Sequence, residues 1–158
     1  MPQMRIGLSG GGPIRPPSGG FRDPKFRMNG RLYVAGVEVA PQTLFGIDRT
    51  AAVFGQWGYD CHITSVVRGR SLENFSLHPY GYAWDAVPGF NMAAARWEEI
   101  RGEVEAEVGE QFQIIVHDAG SGMHLHGEFD PLTDPEWVEW KTAERILWER
   151  WKESHGQG

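Results

Sequence analysis

Ser76-Leu-His-Pro-Tyr-Gly-Tyr-Ala-Trp-Asp85 places a histidine and a carboxylate around a short alternating run of small and large residues. In an extended strand, successive side chains point to opposite faces. Gly81, Ala83 and Asp85 therefore share one face, and Tyr82 and Trp84 share the other. The first face is nearly bare and leaves room for something bulky. The second carries two aromatics and reads as core. His78 lies just upstream, on a loop. A carboxylate at the end of a bare strand face beside a loop histidine is what a cleft metal site needs.

Working outward, the matching half of such a site is His124-Leu-His-Gly-Glu-Phe129. Here His124, His126 and Glu128 fall on one strand face, and Leu125 and Phe129 on the other. Taken together, the two segments offer His78, Asp85 and His126 as three ligands, with His124 beside them. Three protein ligands with a fourth position open is the catalytic pattern for zinc. A single His-x-His pair on a strand is a weak signal, and more often structural than ligating. Two segments that each put ligands on a strand face are a stronger one. A non-haem iron site also uses two histidines and a carboxylate. It usually spaces the first histidine and the carboxylate one residue apart, and here seven positions separate them.

The pattern Ser76-x-His78-x-x-Gly81-x-Ala83-x-Asp85, followed by the late His-x-His, resembles the zinc D-alanyl-D-alanine carboxypeptidases and L-alanyl-D-glutamate endopeptidases of peptidoglycan. The likeness extends to Ile63-Thr-Ser-Val-Val-Arg-Gly69 and Gln113-Ile-Ile-Val116, and covers roughly Arg31 to Pro131. It implies the hedgehog/DD-peptidase fold, zinc held by His78, Asp85 and His126, and the peptidoglycan stem peptide as substrate. Ser76 would orient His78. His124 and Arg68 would stabilise the oxyanion of the tetrahedral intermediate. In the resembled family an acidic residue a few positions before the last ligand accepts the proton of the attacking water. In this chain the spacing departs from that: Asp118 stands eight residues before His126, and Glu128 follows it. Asp118 is the expected base, on the ground that Gly120 and Gly122 can fold the loop back toward the metal. His117 and His124 are the alternatives. The shifted base also keeps open a non-catalytic zinc- or cell-wall-binding module on the same fold.

A length of 158 residues suits one domain with a sizeable core. The formal charge of −6 argues against a nucleic-acid partner, which would meet a basic face. No stretch approaches the ~18 consecutive apolar residues of a membrane span, so no membrane insertion is expected. Cys61 is the one cysteine, so no intrachain disulfide forms, and a buried inert thiol is expected. The first ten residues hold no apolar run of signal-peptide length. This suggests synthesis in the cytoplasm and action on the wall after release, or as a virion component, as for a bacteriophage endolysin.

Residues 1–28 are dense in glycine and proline and are expected to be a flexible arm, with 29–158 as a single domain. Arg31–Val39 reads as a strand. A helix from Pro41 follows, with Leu44, Ile47, Ala51, Phe54 and Gly58 on its inner face. Asp60–Val67 is a second strand, with His62 a weaker metal candidate. Arg68 and Arg70 on the next loop are candidates to clamp a carboxylate. Asn91 is expected to cap a helix to about Val108, buried along Ala93, Trp97, Ile100, Val104 and Val108, with a solvated acidic outer face. Phe112–Val116 is a strand. Asp134 caps the last helix, with Pro135 at its first position and Trp137, Trp140, Leu147, Trp148 and Trp151 as the docked stripe. The predicted class is α+β, an antiparallel sheet with helices packed on one face. Scissile bond and oligomeric state are left open.

Overall fold

A computed structural model of the chain describes residues 32–118 and 122–156. The Gly/Pro-rich arm predicted for 1–28 lies outside the described residues, as does Gly120.

The protein is α+β, with antiparallel sheets and three helices. Strands β1 (Leu32–Val34) and β2 (Val37–Val39) form a small hairpin. The sequence reading had one strand here. Ala35 and Gly36 both take positive φ, 52° and 78°, and this is the two-residue turn whose twist suits a hairpin. Helix α1 (Pro41–Gln56) follows, then β3 (His62–Ser65), a short 3₁₀ turn at His78–Tyr80, and β4 (Ala83–Val87). Helix α2 (Ala94–Val108) leads to β5 (Phe112–Asp118), β6 (Met123–Phe129) and α3 (Pro135–His155). The main sheet runs in the order β3-β4-β6-β5, antiparallel throughout. β6 inserts between β4 and β5, so Asp85 stands directly opposite His126. Between Ile63 and Ser65 the register shifts, a bulge at the position facing Asp85.

One face of this sheet is core. Trp84, Ala86, Ile114, Leu125 and Phe129 pack with Phe54 of α1 and Trp97, Ile100 and Val104 of α2. The inner face of α1 differs from the periodicity reading. Thr43, Gly46, Thr50, Val53 and Phe54 are buried, while Ala51 is exposed. The reason is Trp84. A Cβ on Gly46 or on Gly127 would overlap its indole, so both sides of the ring need bare glycine. Its Nε1–H donates to Thr50 Oγ1 at 3.0 Å, and Thr50 in turn donates to the Gly46 carbonyl at 2.7 Å. A small polar stripe therefore takes the place expected of Leu44, while Ile47 is partly buried against the core. Helix α2 buries Trp97, Ile100, Val104 and Val108 of the predicted stripe, but it starts at Ala94, after an exposed Ala93 and not after Asn91.

Helix α3 departs from the expectation that every helix covers one sheet face. Asp134 caps it, accepting from Glu136 and Trp137 N–H groups. Buried Asp130, at the end of β6, accepts from Trp137 Nε1 at 2.7 Å and pairs with Lys141 at 2.6 Å. From there the helix runs along the segment before β4: Trp140 meets Tyr80 edge-on, and Trp148 packs on Phe75 and donates to the Ser71 carbonyl. Trp137, Glu144 and Trp148 are its buried residues. Leu147 is half exposed, because positions seven and eleven residues beyond Trp137 return to its face and position ten does not. Cys61 is a half-buried free thiol whose pKa burial pushes up to about 11. No helix among the described residues is long and apolar enough to cross a membrane.

Candidate metal centre

The segment that delivers His78 is pinned from several sides. Ser76 Oγ accepts from the His78 backbone N–H at 3.1 Å, so Ser76 holds the turn and not the ring. Gly81 ends the turn at φ 78°, and a Cβ there would collide with the Glu38 carbonyl. The Gly81 carbonyl accepts from Ala40 N–H at 3.0 Å and from Thr43 Oγ1 at 2.7 Å, tying the turn to the junction of β2 and α1. Ala83 is fully buried below the site. Each spaced position of the Ser76-to-Asp85 pattern thus has a local structural task.

On the sheet face away from α1 and α2, His78, Asp85 and His126 offer ligand atoms that all lie within 4.8 Å of one another. His78 is wholly buried and Asp85 is 4% exposed. Asp85 Oδ1 lies 2.9 Å from His126 Nδ1, 3.4 Å from His78 Nε2 and 3.8 Å from His124 Nε2. The group could hold a metal ion.

The hydrogen bonds around the rings test that fit. His78 Nδ1 lies 2.8 Å from the Val66 carbonyl, which can only accept, so Nδ1 carries the proton. Nε2 is then an unprotonated donor atom, buried, without a hydrogen-bond partner, and aimed at a carboxylate. Two electron-rich atoms 3.4 Å apart in a buried site call for a cation between them. His126 is arranged likewise. Its Nε2–H donates to Glu128 Oε1 at 2.7 Å, which turns Nδ1 toward Asp85. A carboxylate or carbonyl behind each histidine is the usual way a metal-binding imidazole is oriented.

The electrostatics follow. Burial pushes the Asp85 carboxyl up, but the hydrogen bond from His126 and the closeness of the His78 ring outweigh this and hold it well below the carboxylate range. Burial lowers His126, but bonds to Asp85 and then Glu128 raise it to about 9. Glu128 is pushed up by burial and more than restored by His126, so it is lowered. His117 is lowered, by burial first and then by His124 and His126, which favours its neutral form.

The other expected site residues fall into two groups. Arg68 reaches the centre, with Nη1 3.5 Å from Asp85 Oδ2 and its side chain 54% exposed. His124 and His117 stand opposite each other on β6 and β5, rings 4.3 Å apart, on the ligand face. Asp118 does not join them. It is exposed at the end of β5, pairs with Met123, and alternation turns it to the face opposite His117. Its carboxylate accepts from the Gly122 N–H at 3.1 Å, across the hairpin turn. Arg70 lies over the Trp151 ring, and His62 is exposed on β3. The second carboxylate of the site, beside Asp85, is Glu128. Its position two residues after His126, on the same strand face, was the available signal.

A comparison of the chain with known protein families, with curated proteins and with solved structures finds no match to any of them.

Proposed function

We propose that this protein is a zinc-dependent peptidase acting on the peptidoglycan stem peptide, with the hedgehog/DD-peptidase fold. The observation that carries the reading is the convergence of His78, Asp85 and His126, with the buried, unpartnered His78 Nε2 facing Asp85. The donor set, two imidazoles and one carboxylate, suits zinc and leaves a position open. Held there, zinc would polarise a carbonyl and acidify a water.

The chain's own residues supply the rest. Val66 and Glu128 fix the tautomers of His78 and His126. His117, neutral and half-buried beside His124, is better placed than Asp118 to accept a proton from water and return it to the leaving amine. Arg68, exposed at the mouth and next to Asp85, sets a fixed positive charge where negative charge develops on the substrate. The misplacement of Asp118 favours the second reading, a zinc- or wall-binding module that performs no hydrolysis.

Digestion of purified peptidoglycan, with and without a zinc chelator, separates the two. Mass spectrometry should find new chelator-sensitive ends within the stem peptide. Intact stem peptides from several wall types, with zinc measured in the protein, would establish the binding module.

A further inference from the structure

The cleft continues on both sides of the ligand cluster. On one side a cavity of about 560 Å³ is bordered by Ser71, Asn74, Ser76, His126 and Glu128. On the other, about 470 Å³ lies against Thr64, Asp85, Val87 and His124. Arg68 and His117 border both, so the two meet at the cluster. Beyond the second, Val87 and Gly122 also border a third cavity of about 400 Å³, with Phe90, Met92 and Met123. The cluster therefore stands part-way along a groove and not at its blind end. From Glu128 to Met123 alone, β6 spans roughly 17 Å at ~3.4 Å per residue.

Resting on the peptidase reading, we infer that the enzyme is endo-acting: it takes a chain that continues on both sides of the cleaved bond. A carboxypeptidase needs a wall just past its carboxylate anchor, so that one residue fits and more do not. Arg68 is the residue that would anchor a terminal carboxylate here. It instead stands at the junction of two cavities, with open groove in both directions. The first is mixed, with Ser71, Glu73 and Asn74 beside Phe75 and the exposed Ile115. Phe90, 60% exposed, is the large apolar side chain that borders the third cavity next to Val87. A chain that continues past the second cavity therefore meets Phe90. The step is plain hydrolysis: the water oxygen bonds to the carbonyl carbon, the C–N bond breaks, and the amine leaves with the proton.

The test compares two substrates of the zinc-loaded full chain. One is a stem peptide extended on both sides of the bond. The other is a shortened peptide with a single residue after it. Mass spectrometry should show an internal cut, with kcat/KM about 10-fold or more higher for the extended substrate. Phe90→Ala should remove about 5- to 10-fold of that preference, the size expected for one aromatic contact, and leave the shortened substrate unchanged. Calorimetry on the metal-free protein with uncleaved peptides gives a second readout: the extended peptide binds more tightly, and Phe90→Ala abolishes the difference. Release of single C-terminal residues as the main product overturns the endo assignment and leaves the peptidase standing. A Phe90→Ala effect equal for both substrates overturns the placement of the chain along the third cavity. Cleavage of neither substrate removes the peptidase reading and the endo assignment with it.

Discussion

Zinc affinity should rise about 100-fold between pH 6 and pH 8. In the metal-free protein, burial lowers the His126 pKa, but the hydrogen bonds to Asp85 and Glu128 raise it to about 9. A metal needs the Nδ1 lone pair, so binding must expel that proton. With one such proton, apparent affinity scales as 1/(1 + 10^(pKa − pH)). That factor is roughly a thousandth at pH 6 and roughly a tenth at pH 8 for a group titrating near 9. A histidine at its ordinary pKa of ~6.5 would change by only about 4-fold over the same range. Asp85 and Glu128, both lowered, are ionised throughout and add nothing to the slope. The assay is competition against a chromophoric chelator at pH 6, 7 and 8, corrected for the chelator's own protonation. Calorimetry in buffers of different ionisation enthalpy counts the protons released. A slope near one decade per pH unit and one proton per ion are expected. A change of 4-fold or less, or binding without proton release, would refute the hydrogen-bonded account of His126.

His126→Ala should lose both bound zinc and hydrolysis, whereas Asp118→Ala should keep both, because its carboxylate serves the hairpin turn; metal analysis and the stem-peptide assay check this. The raised His126 pKa contributes stability that is complete below ~6.5 and lost as pH rises through about 9, on the order of 3 kcal/mol. The Tm of the metal-free protein should therefore fall across that window, while saturating zinc offsets the fall. Gly127→Ala drives a methyl group into the Trp84 ring and should cost about 1–3 kcal/mol in urea unfolding.

Much of the site was legible because its residues alternate. Ala83 and Asp85 on one strand, and His124, His126 and Glu128 on another, share faces by period two, and both groups lie on the ligand face. The cap at Asp134 and the stripe of α2 followed from equally local rules. The base did not. Asp118 was selected by distance along the chain and by glycines in a loop, whereas strand alternation turns it away from the site. The inner face of α1 was misread for a related reason. Gly46 and Thr50 look like poor core residues until the Trp84 indole is placed against them.

By itself the sequence determined the class, the strand faces and the three residues, His78, Asp85 and His126, that converge on one candidate centre, since these depend on periodicity within short segments. Only the tertiary structure decided that β6 inserts between β4 and β5 and brings Asp85 opposite His126. It also set the partners behind each imidazole: the Val66 carbonyl for His78 and the Glu128 carboxylate for His126. Pairing order and hydrogen-bond geometry arise between segments far apart in the chain, and no local periodicity encodes them.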